Sequence, residues 1–323
     1  MSTLLTKRGS SAQTATVDID VVHPDLRAPL QRLPRLDPSK RSRRWLGRVG
    51  PKLLRAPAVP GVTISKVHDG GVRGILYRPA TVASTSALLW VHGGGLVIGA
   101  PEQDAALCAH TAAELGIPVF APRYRLAPEA RFPEPLDDVQ TAWVWLRANA
   151  AEFSADPAAV VIGGESAGAG LAAALVQRLH DTETVQPVAQ WLFAPMLDDR
   201  TAARTELDGL NHFIWDNASN RFGWSSYLGD GPVADHAVPA RRADLSGLPP
   251  TWLCTGDIEL FHDEIADYAA RLRSSGVEVE LDVVPGGAHG FENWAWSAPV
   301  SQALMQRAWA WLRPRLTRAA SRP

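Results

Sequence analysis

Residues 158–180 read "AAVVIGGESAGAGLAAALVQRLH", a short apolar run that passes through a serine between glycines into a segment of small residues. The apolar run has the length of a strand buried on both faces, and the segment after it has the length and composition of a helix. The sequence therefore predicts a buried strand that turns sharply at Ser166 into a helix packed against a parallel sheet.

The same alternation of strands and helices extends on both sides of this stretch. Asp69, Gly70 and Gly71 separate two alternating runs and predict an antiparallel hairpin. Apolar runs predict strands over 87–91, 118–123, 158–164, 188–195, 250–256 and 277–285. Helical patterns cover 102–115, 134–152, 167–180, 261–275 and 298–313. We therefore predict the α/β fold class, with a mostly parallel central sheet flanked by helices and entered through a hairpin.

Three segments depart from this rhythm. Residues 1–20 are polar and unpatterned, which predicts a mobile tail. Residues 21–60 are basic and interrupted by prolines, and we expect them to form a lid. The interval 198–247 is too long for a simple connection, and long insertions in compact domains are typically lids or binding loops.

Composition excludes several functional classes. The 323 residues are 46% hydrophobic and 20% charged with a net charge of −2, so no nucleic-acid partner is indicated. The basic cluster at 39–55, "SKRSRRWLGRVGPKLLR", predicts one or two surface helices with a solvated cationic face rather than a membrane patch. We see neither a signal-peptide core nor an apolar run of membrane-spanning length, and therefore expect a cytoplasmic protein without stable membrane association.

The motif "GESAG" at 164–168 predicts the chemistry at the turn. A Gly-x-Ser-x-Gly between a strand and a helix is the pattern of a nucleophile elbow, in which the serine is exposed at the top of the sheet. The glycines let a strained turn pass close to neighbouring backbone. We therefore expect Ser166 to be a catalytic nucleophile.

The stretch "WVHGGGLVIG" at 90–99 complements a serine nucleophile. Three consecutive glycines are entropically costly in an ordered core unless something must approach the backbone closely. Acyl transfer at a serine creates a tetrahedral oxyanion that backbone N–H groups stabilise. We expect these donors to come from Gly93, Gly94 and Ala167. His92 precedes the nucleophile, so we expect it to hold this loop rather than act as the base.

The base and its acid are expected late in the chain. His289 lies in the stretch "VVPGGAHGF" after the last strand, from which its side chain can reach Ser166. The stretch "CTGDIELFHDE" at 254–264 offers Asp257 and Glu259 as the acid, since Asp263 and Glu264 are expected in the first turn of the next helix. No histidine, cysteine or carboxylate spacing resembles a metal site, so we expect none.

Five motifs in this order carry a resemblance to a known family: "HGGG" (92–95), "YRLAPEARFPEPLDD" (124–138), "GESAG", "GDIELFHDE" (256–264) and "GGAHGF" (286–291). Over about residues 60–315 the chain resembles the hormone-sensitive-lipase-like family of bacterial esterases. The resemblance implies an α/β-hydrolase catalytic domain over 61–323, with a helical cap made from the N-terminal segment 21–60 and an insertion at about 198–247. It also implies hydrolysis of short- to medium-chain carboxylic esters without a cofactor, in a protein that often forms homodimers.

The resemblance also bears on the acid. The family's acidic block reads Asp-x-Leu-x-Asp-Glu with the first Asp catalytic, and alignment of its last two residues with Asp263 and Glu264 implies Glu259. This chain departs from the common pattern in having Glu there, so Asp257 remains an alternative. A second departure is Glu165, where one subgroup has Asp beside the nucleophile; we expect its buried side chain to bond to loop backbone.

The resulting hypothesis is a serine carboxylesterase that uses Ser166, His289 and Glu259 on a small-molecule ester. Two alternatives are an amidase or lactam hydrolase with the same triad, and a non-catalytic small-molecule receptor. The expected substrate-binding residues lie in the insertion: Phe213, Trp215 and Trp224. Such aromatic residues more often form core than pocket wall, but in a pocket they would limit the length of the acyl group.

Overall fold

A computed structural model describes residues 19–34, 37–210 and 212–316. Its centre is a sheet of eight strands: β1 Val62–Asp69, β2 Val72–Pro79, β3 Ala87–Val91, β4 Val119–Pro122, β5 Val160–Glu165, β6 Gln190–Phe193, β7 Thr251–Gly256 and β8 Val279–Val284. The strand order is β1-β2-β4-β3-β5-β6-β7-β8. β2 runs antiparallel to both β1 and β4, and all other neighbours are parallel. The predicted sheet and its hairpin entry are confirmed.

Helices cover both faces of the sheet. They are α1 Pro24–Gln31, α2 Arg41–Val49, α3 Ala105–Leu115, α4 Glu134–Ala148, α5 Ala167–Thr182, α6 Asn217–Leu228, α7 His262–Ser274, α8 Phe291–Trp294 and α9 Pro299–Leu312. Each predicted helix is present, although two differ at an end. A 3₁₀ turn, Pro101–Asp104, precedes α3, and a second, Ala150–Phe153, follows α4. Within the described residues, no helix is both long and apolar enough to cross a bilayer.

The two faces of the sheet are packed differently. One face carries large aromatic rings beneath α3 and α9, with the centroids of Trp191 and Phe193 4.7 Å apart and those of Trp90 and Trp191 5.7 Å apart. The other face lies under α5, whose first turn consists of alanine and glycine. A Cβ atom on Gly170 would collide with the carbonyl oxygen of Met196. Small residues therefore let α5 lie close to the sheet edge where Ser166 is placed.

The N-terminal segment and the insertion meet above this edge. α2 belongs to the segment 21–60 and α6 to the insertion 198–247, and the Arg44 guanidinium lies 5.2 Å from the centre of the Phe222 ring. The N–H of Gly99 donates to the carbonyl oxygen of Gly47 in α2 at 3.1 Å. That these two segments form a cap remains a prediction.

The predicted tail, residues 1–20, lies almost entirely outside the described residues. Only its last two positions are described, and they belong to the 3₁₀ turn Ile19–Val21. The Arg27 side chain donates to the carbonyl oxygens of Asp20 and Val22, so this turn is held against α1.

A buried carboxyl group on α7 anchors the start of the insertion. Glu264, in the first turn of α7, accepts hydrogen bonds from the backbone N–H groups of Leu197 (2.7 Å) and Asp198 (3.2 Å). Its other oxygen contacts the Thr201 hydroxyl. Burial raises the pKa of Glu264 to about 8. The sequence places this residue in the first helical turn correctly, but its partners lie in the insertion.

The elevated pKa of Glu264 predicts a pH-dependent stability. Because the folded pKa lies above the ordinary value of 4.5, the folded state keeps a proton that the unfolded state releases. The contribution of this group is therefore complete below about pH 4.5 and is lost as pH rises through about 8. Glu264→Gln keeps the acceptor and can donate to Thr201, so urea unfolding should give equal stability at pH 5 and a more stable variant at pH 9.

Glu264→Ala is the control for this measurement. It removes the acceptor of two buried N–H groups and should lose on the order of 1–3 kcal/mol in the free energy of unfolding at both pH values. A Glu264→Gln variant that differs from the wild type by the same amount at pH 5 and pH 9 would contradict the titration of this group.

Candidate active site

Ser166 lies at the turn between β5 and α5. Its backbone has φ 54° and ψ −123°, a region that residues other than glycine rarely adopt. A Cβ atom on Gly164 would lie 2.6 Å from the carbonyl oxygen of Val91, and one on Gly168 would collide with the carbonyl oxygens of Val91 and His92. The two glycines of the motif are therefore required by the close approach of β3 to the turn.

Three buried side chains form a hydrogen-bonded line from this turn. The Nε2 atom of His289 lies 2.8 Å from Ser166 Oγ, and its Nδ1 atom lies 2.5 Å from Glu259 Oε2. The Thr255 hydroxyl donates to the other oxygen of Glu259 at 2.5 Å. With Nδ1–H donated to the carboxylate, Nε2 is left free to accept the serine proton.

Asp257 has a different partner. Its side chain is exposed, and Oδ1 accepts a hydrogen bond from the backbone N–H of Gly286 at 2.7 Å. A Cβ atom on Gly256 would collide with Gly287, so the loops after β7 and β8 lie in direct backbone contact. Of the two carboxylates that the sequence proposes, the structure brings Glu259 to His289 and uses Asp257 to hold the loop before it.

The glycine-rich loop after β3 packs against the same turn. A Cβ atom on Gly93 would lie 3.3 Å from Ser166 Cβ, and Gly94 has a φ of 122°. A Cβ atom on Gly95 would overlap the indole ring of Trp215. Ala167 is the first residue of α5, where backbone N–H groups have no acceptor within the helix. The backbones of Gly93 and Ala167 thus flank Ser166.

His92 supports this loop from below. Its Nδ1 atom lies 2.8 Å from the carbonyl oxygen of Gly93, and its ring stacks on Tyr124 with centroids 4.3 Å apart. The Tyr124 hydroxyl donates to the carbonyl oxygen of His92 at 2.9 Å. Burial lowers the pKa of His92 to about 3, so the ring is neutral. This agrees with the expected supporting role and explains the tyrosine of the "YRLAPE" motif.

A group of buried carboxyl side chains lies behind the serine and histidine. The Asn293 amide donates to Asp104 at 2.5 Å and to Glu165 at 2.7 Å, and the Trp90 indole N–H donates to Asp104 at 2.7 Å. Burial raises the pKa of Asp104 and of Glu292 to about 7, and raises the pKa of Glu165 well above its usual range. Asn293 therefore links the chain after His289 to the residue before Ser166.

This linkage was not predicted from the sequence. We expected Glu165 to bond to loop backbone, but its hydrogen-bond partner is the side chain of Asn293. The available signal was weak: Asn293 lies four residues after His289 and is separated from Glu165 by 128 positions. Only the three-dimensional fold brings these residues together.

The three aromatic residues of the insertion have different environments. Trp215 and Trp224 are buried in the core, and Phe213 is half-buried. Trp224 lines a small cavity that has room for about one water molecule. The cavity lies between α5, α6 and the glycine-rich loop after β3, and its walls include Leu96, Ala167, Leu171, Met196 and Tyr227. Trp215 and Trp224 thus combine a core position with proximity to the site, Trp215 at Gly95 and Trp224 in the wall of the cavity that Ala167 also lines.

Known proteins share this sequence and architecture. The sequence pattern of the alpha/beta hydrolase fold matches residues 88–293. The carboxylic ester hydrolase LipN of Mycobacterium tuberculosis (strain ATCC 25618 / H37Rv) is 34% identical over 227 residues, which cover 67% of this chain and 60% of LipN. The structure of a bacterial heroin esterase superposes with a TM-score of 0.82 at 34% identity, covering 92% of this chain and 99% of that one.

A further solved structure, an esterase from the bacterial hormone-sensitive lipase family, superposes with a TM-score of 0.76 at 27% identity and covers 91% of this chain and 98% of that one. The match to LipN spans less than two thirds of LipN's own length. The family pattern extends over Gly93, Ser166, Glu259 and His289. The resemblance drawn from the motifs is confirmed, and the chain belongs to the alpha/beta hydrolase fold family.

Proposed function

We propose that this protein is a serine carboxylesterase that hydrolyses short- to medium-chain carboxylic esters through an acyl-enzyme. The observation that carries the proposal is the buried line from Ser166 Oγ to His289 Nε2 (2.8 Å) and from His289 Nδ1 to Glu259 Oε2 (2.5 Å). The names of LipN, a carboxylic ester hydrolase, and of the heroin esterase support the same reaction class.

The proposed reaction begins when Ser166 Oγ attacks the ester carbonyl carbon and His289 Nε2 takes the hydroxyl proton. Glu259 holds the Nδ1–H group and stabilises the imidazolium that forms. His289 then gives the proton to the departing alkoxide, and the alcohol leaves behind an acyl group on Ser166. A water molecule, deprotonated by His289, then attacks the acyl carbonyl; the bond to Ser166 Oγ breaks, His289 returns the proton to Oγ, and the carboxylic acid is released. No cofactor takes part in this scheme.

The negative oxygen of each tetrahedral intermediate would be bound by the N–H groups of Gly93, Gly94 and Ala167. The close packing of Gly93 on Ser166 supports this assignment, as does the position of Ala167 at the N-terminus of α5, where the helix dipole favours negative charge. Preorganised donors of this kind each stabilise a transition state by about 3–4 kcal/mol.

The cavity beside Ala167 supports a preference for short acyl groups, because it has room for about one water molecule. We propose that Trp224 closes this space, that Trp215 fixes the loop through Gly95, and that Phe213 contributes to the wall of the substrate site. A cytoplasmic location, a homodimer and the absence of nucleic-acid binding or stable membrane association stay predictions.

The first test is the rate of hydrolysis of p-nitrophenyl esters from acetate to palmitate by the wild type and by Ser166→Ala. The variant should lose activity by a factor on the order of 10⁶, because the nucleophile and the base act as a unit. Circular dichroism of the variant checks that the fold is intact. Activity that survives in Ser166→Ala would contradict the mechanism, and turnover of p-nitroacetanilide in preference to p-nitrophenyl acetate would favour the amidase alternative.

The acid is tested with a matched pair of variants. Glu259→Gln should lower kcat by about 10²–10⁴-fold, because the amide no longer stabilises the imidazolium. Asp257→Asn should leave kcat nearly unchanged, because the amide oxygen can still accept from the N–H of Gly286. The reverse pattern in p-nitrophenyl acetate kinetics would assign the acid to Asp257.

Chain-length preference is tested with Trp224→Ala. Removal of the indole opens the space next to Ala167, so the optimum of the p-nitrophenyl series should move to longer acyl chains while kcat/KM for acetate falls. The thermal midpoint is measured alongside, since removal of a buried tryptophan costs about 3–5 kcal/mol. A less stable variant with an unchanged chain-length optimum would show that Trp224 is core only.

A further inference from the structure

An apolar surface lies on the N-terminal segment. Within the described residues, the four most exposed large hydrophobic side chains are Leu53 (77%), Trp45 (63%), Leu54 (57%) and Leu46 (54%). All four fall within ten positions of one another, and we call them the apolar patch. Soluble proteins rarely leave several large apolar side chains exposed together unless they contact a partner or a membrane.

Positively charged residues flank the apolar patch in the sequence. Between residues 37 and 60 the exposed cations are Lys40, Arg41, Arg43, Lys52 and Arg55. The sequence contains no acidic residue between Asp37 and Asp69. The segment therefore combines exposed apolar side chains with an excess of positive over negative charge, since Asp37 is its one carboxylate between positions 37 and 68.

The orientation of α2 is the reverse of the usual amphipathic helix. Its inner face carries Arg44, Gly47 and Arg48, at the spacing of one helical turn. Arg44 lies over Phe222, and Arg48 donates to the carbonyl oxygen of Val97 at 2.8 Å. Trp45 and Leu46 are left on the outside, where charged residues are the rule. The expected solvated cationic face is thus an apolar and cationic one.

Arg48 fixes this orientation through further contacts. Its guanidinium also donates to the carbonyl oxygen of Ala127 at 2.7 Å and pairs with Glu129 at 2.8 Å. Gly47 packs on Ile98, since a Cβ atom at Gly47 would lie 3.0 Å from that side chain. The outward position of the apolar patch is therefore a consequence of specific contacts on the inner face of α2.

We propose that the apolar patch and its surrounding cations dock reversibly on an anionic lipid surface. Tryptophan and leucine side chains enter the boundary between headgroups and acyl chains, and lysine and arginine attract acidic headgroups. A second copy of this chain is a poorer occupant, because a two-fold contact through this surface would place five exposed cations opposite the same five. An anionic bilayer complements both the apolar side chains and the charge.

The helix that carries Trp45 and Leu46 is connected to the candidate active site through its inner face. α2 contacts the loop that contains Gly93 and Gly94, through the hydrogen bond from Gly99 N–H to Gly47 and that from Arg48 to Val97. A docked protein would hold that loop near the lipid, while the small area of the patch keeps adsorption weak and salt-dependent. The expectation of no stable membrane association is compatible with docking of this kind.

The test is flotation of the full chain with phosphatidylcholine vesicles, with and without phosphatidylglycerol, at low and high salt. We expect about tenfold more bound protein on the anionic vesicles at low salt, and loss of that difference at high salt. Two fourfold variants should each bind about tenfold less than the wild type. The serine variant replaces the apolar patch: Trp45→Ser, Leu46→Ser, Leu53→Ser and Leu54→Ser. The glutamine variant replaces four of the cations: Arg41→Gln, Arg43→Gln, Lys52→Gln and Arg55→Gln.

Val144→Ser is the matched control, since Val144 is an exposed apolar residue (52%) on α4, and it should bind like the wild type. Circular dichroism checks the fold of every variant, and the readout is bound protein rather than turnover, so the result is independent of the proposed esterase activity. Absence of binding to anionic vesicles, or equal binding by the patch variants, would overturn the proposal. A wild-type dimer that becomes monomeric in the serine variant would instead make the patch a contact between copies.

Discussion

The turn at Ser166 is the constraint on which the rest of the site depends. Its positive φ is maintained because β3 lies so close that neither Gly164 nor Gly168 has space for a side chain. This packing places the hydroxyl at the edge of the sheet, next to the N-terminus of α5 and the glycine-rich loop. The strain of one residue is therefore balanced by contacts of the two central parallel strands.

Loops from distant parts of the chain are then held on this turn by buried polar contacts. Tyr124 and His92 hold the glycine-rich loop, and Asn293 connects the histidine loop to Glu165. The buried carboxyl groups of Asp104 and Glu165 are tolerated here because they share the amide of Asn293 as a donor, and Asp104 also accepts from the Trp90 indole. The position of His289 is thus fixed from two sides, by Glu259 on its ring and by the network behind its backbone.

Local patterns predicted the fold, and they singled out the three side chains that the structure brings into one hydrogen-bonded line. The hairpin follows from Gly70 and Gly71, and the nucleophile turn from a motif within five residues, because each depends on backbone conformations that only particular residues adopt. The choice between Asp257 and Glu259 was harder, since both follow β7 closely. The structure distinguishes them, because Asp257 accepts from the N–H of Gly286 whereas Glu259 lies against His289.

Contacts between remote segments could not be predicted. Glu264 was expected near a helix start but not as the acceptor for Leu197, and Asn293 was not singled out, because neither contact has a local signature. The face that α2 turns inward was not predicted either, because its arginines were expected to be solvated. Two of them, Arg44 and Arg48, are used on the inner face, against Phe222 and Val97.

The contact between Gly95 and Trp215 has a consequence for how proteins of this family diverge. The indole ring occupies the space of the missing side chain, so the insertion and the glycine-rich loop are complementary in shape. An insertion exchanged between relatives would have to bring a ring that fits the space beside Gly95. Otherwise the loop would shift and its N–H groups would change direction. Under the proposed function, a change in the insertion that alters substrate range would therefore also alter the loop that binds the oxyanion, and recombination between relatives should succeed most often when the loop and the insertion are inherited together.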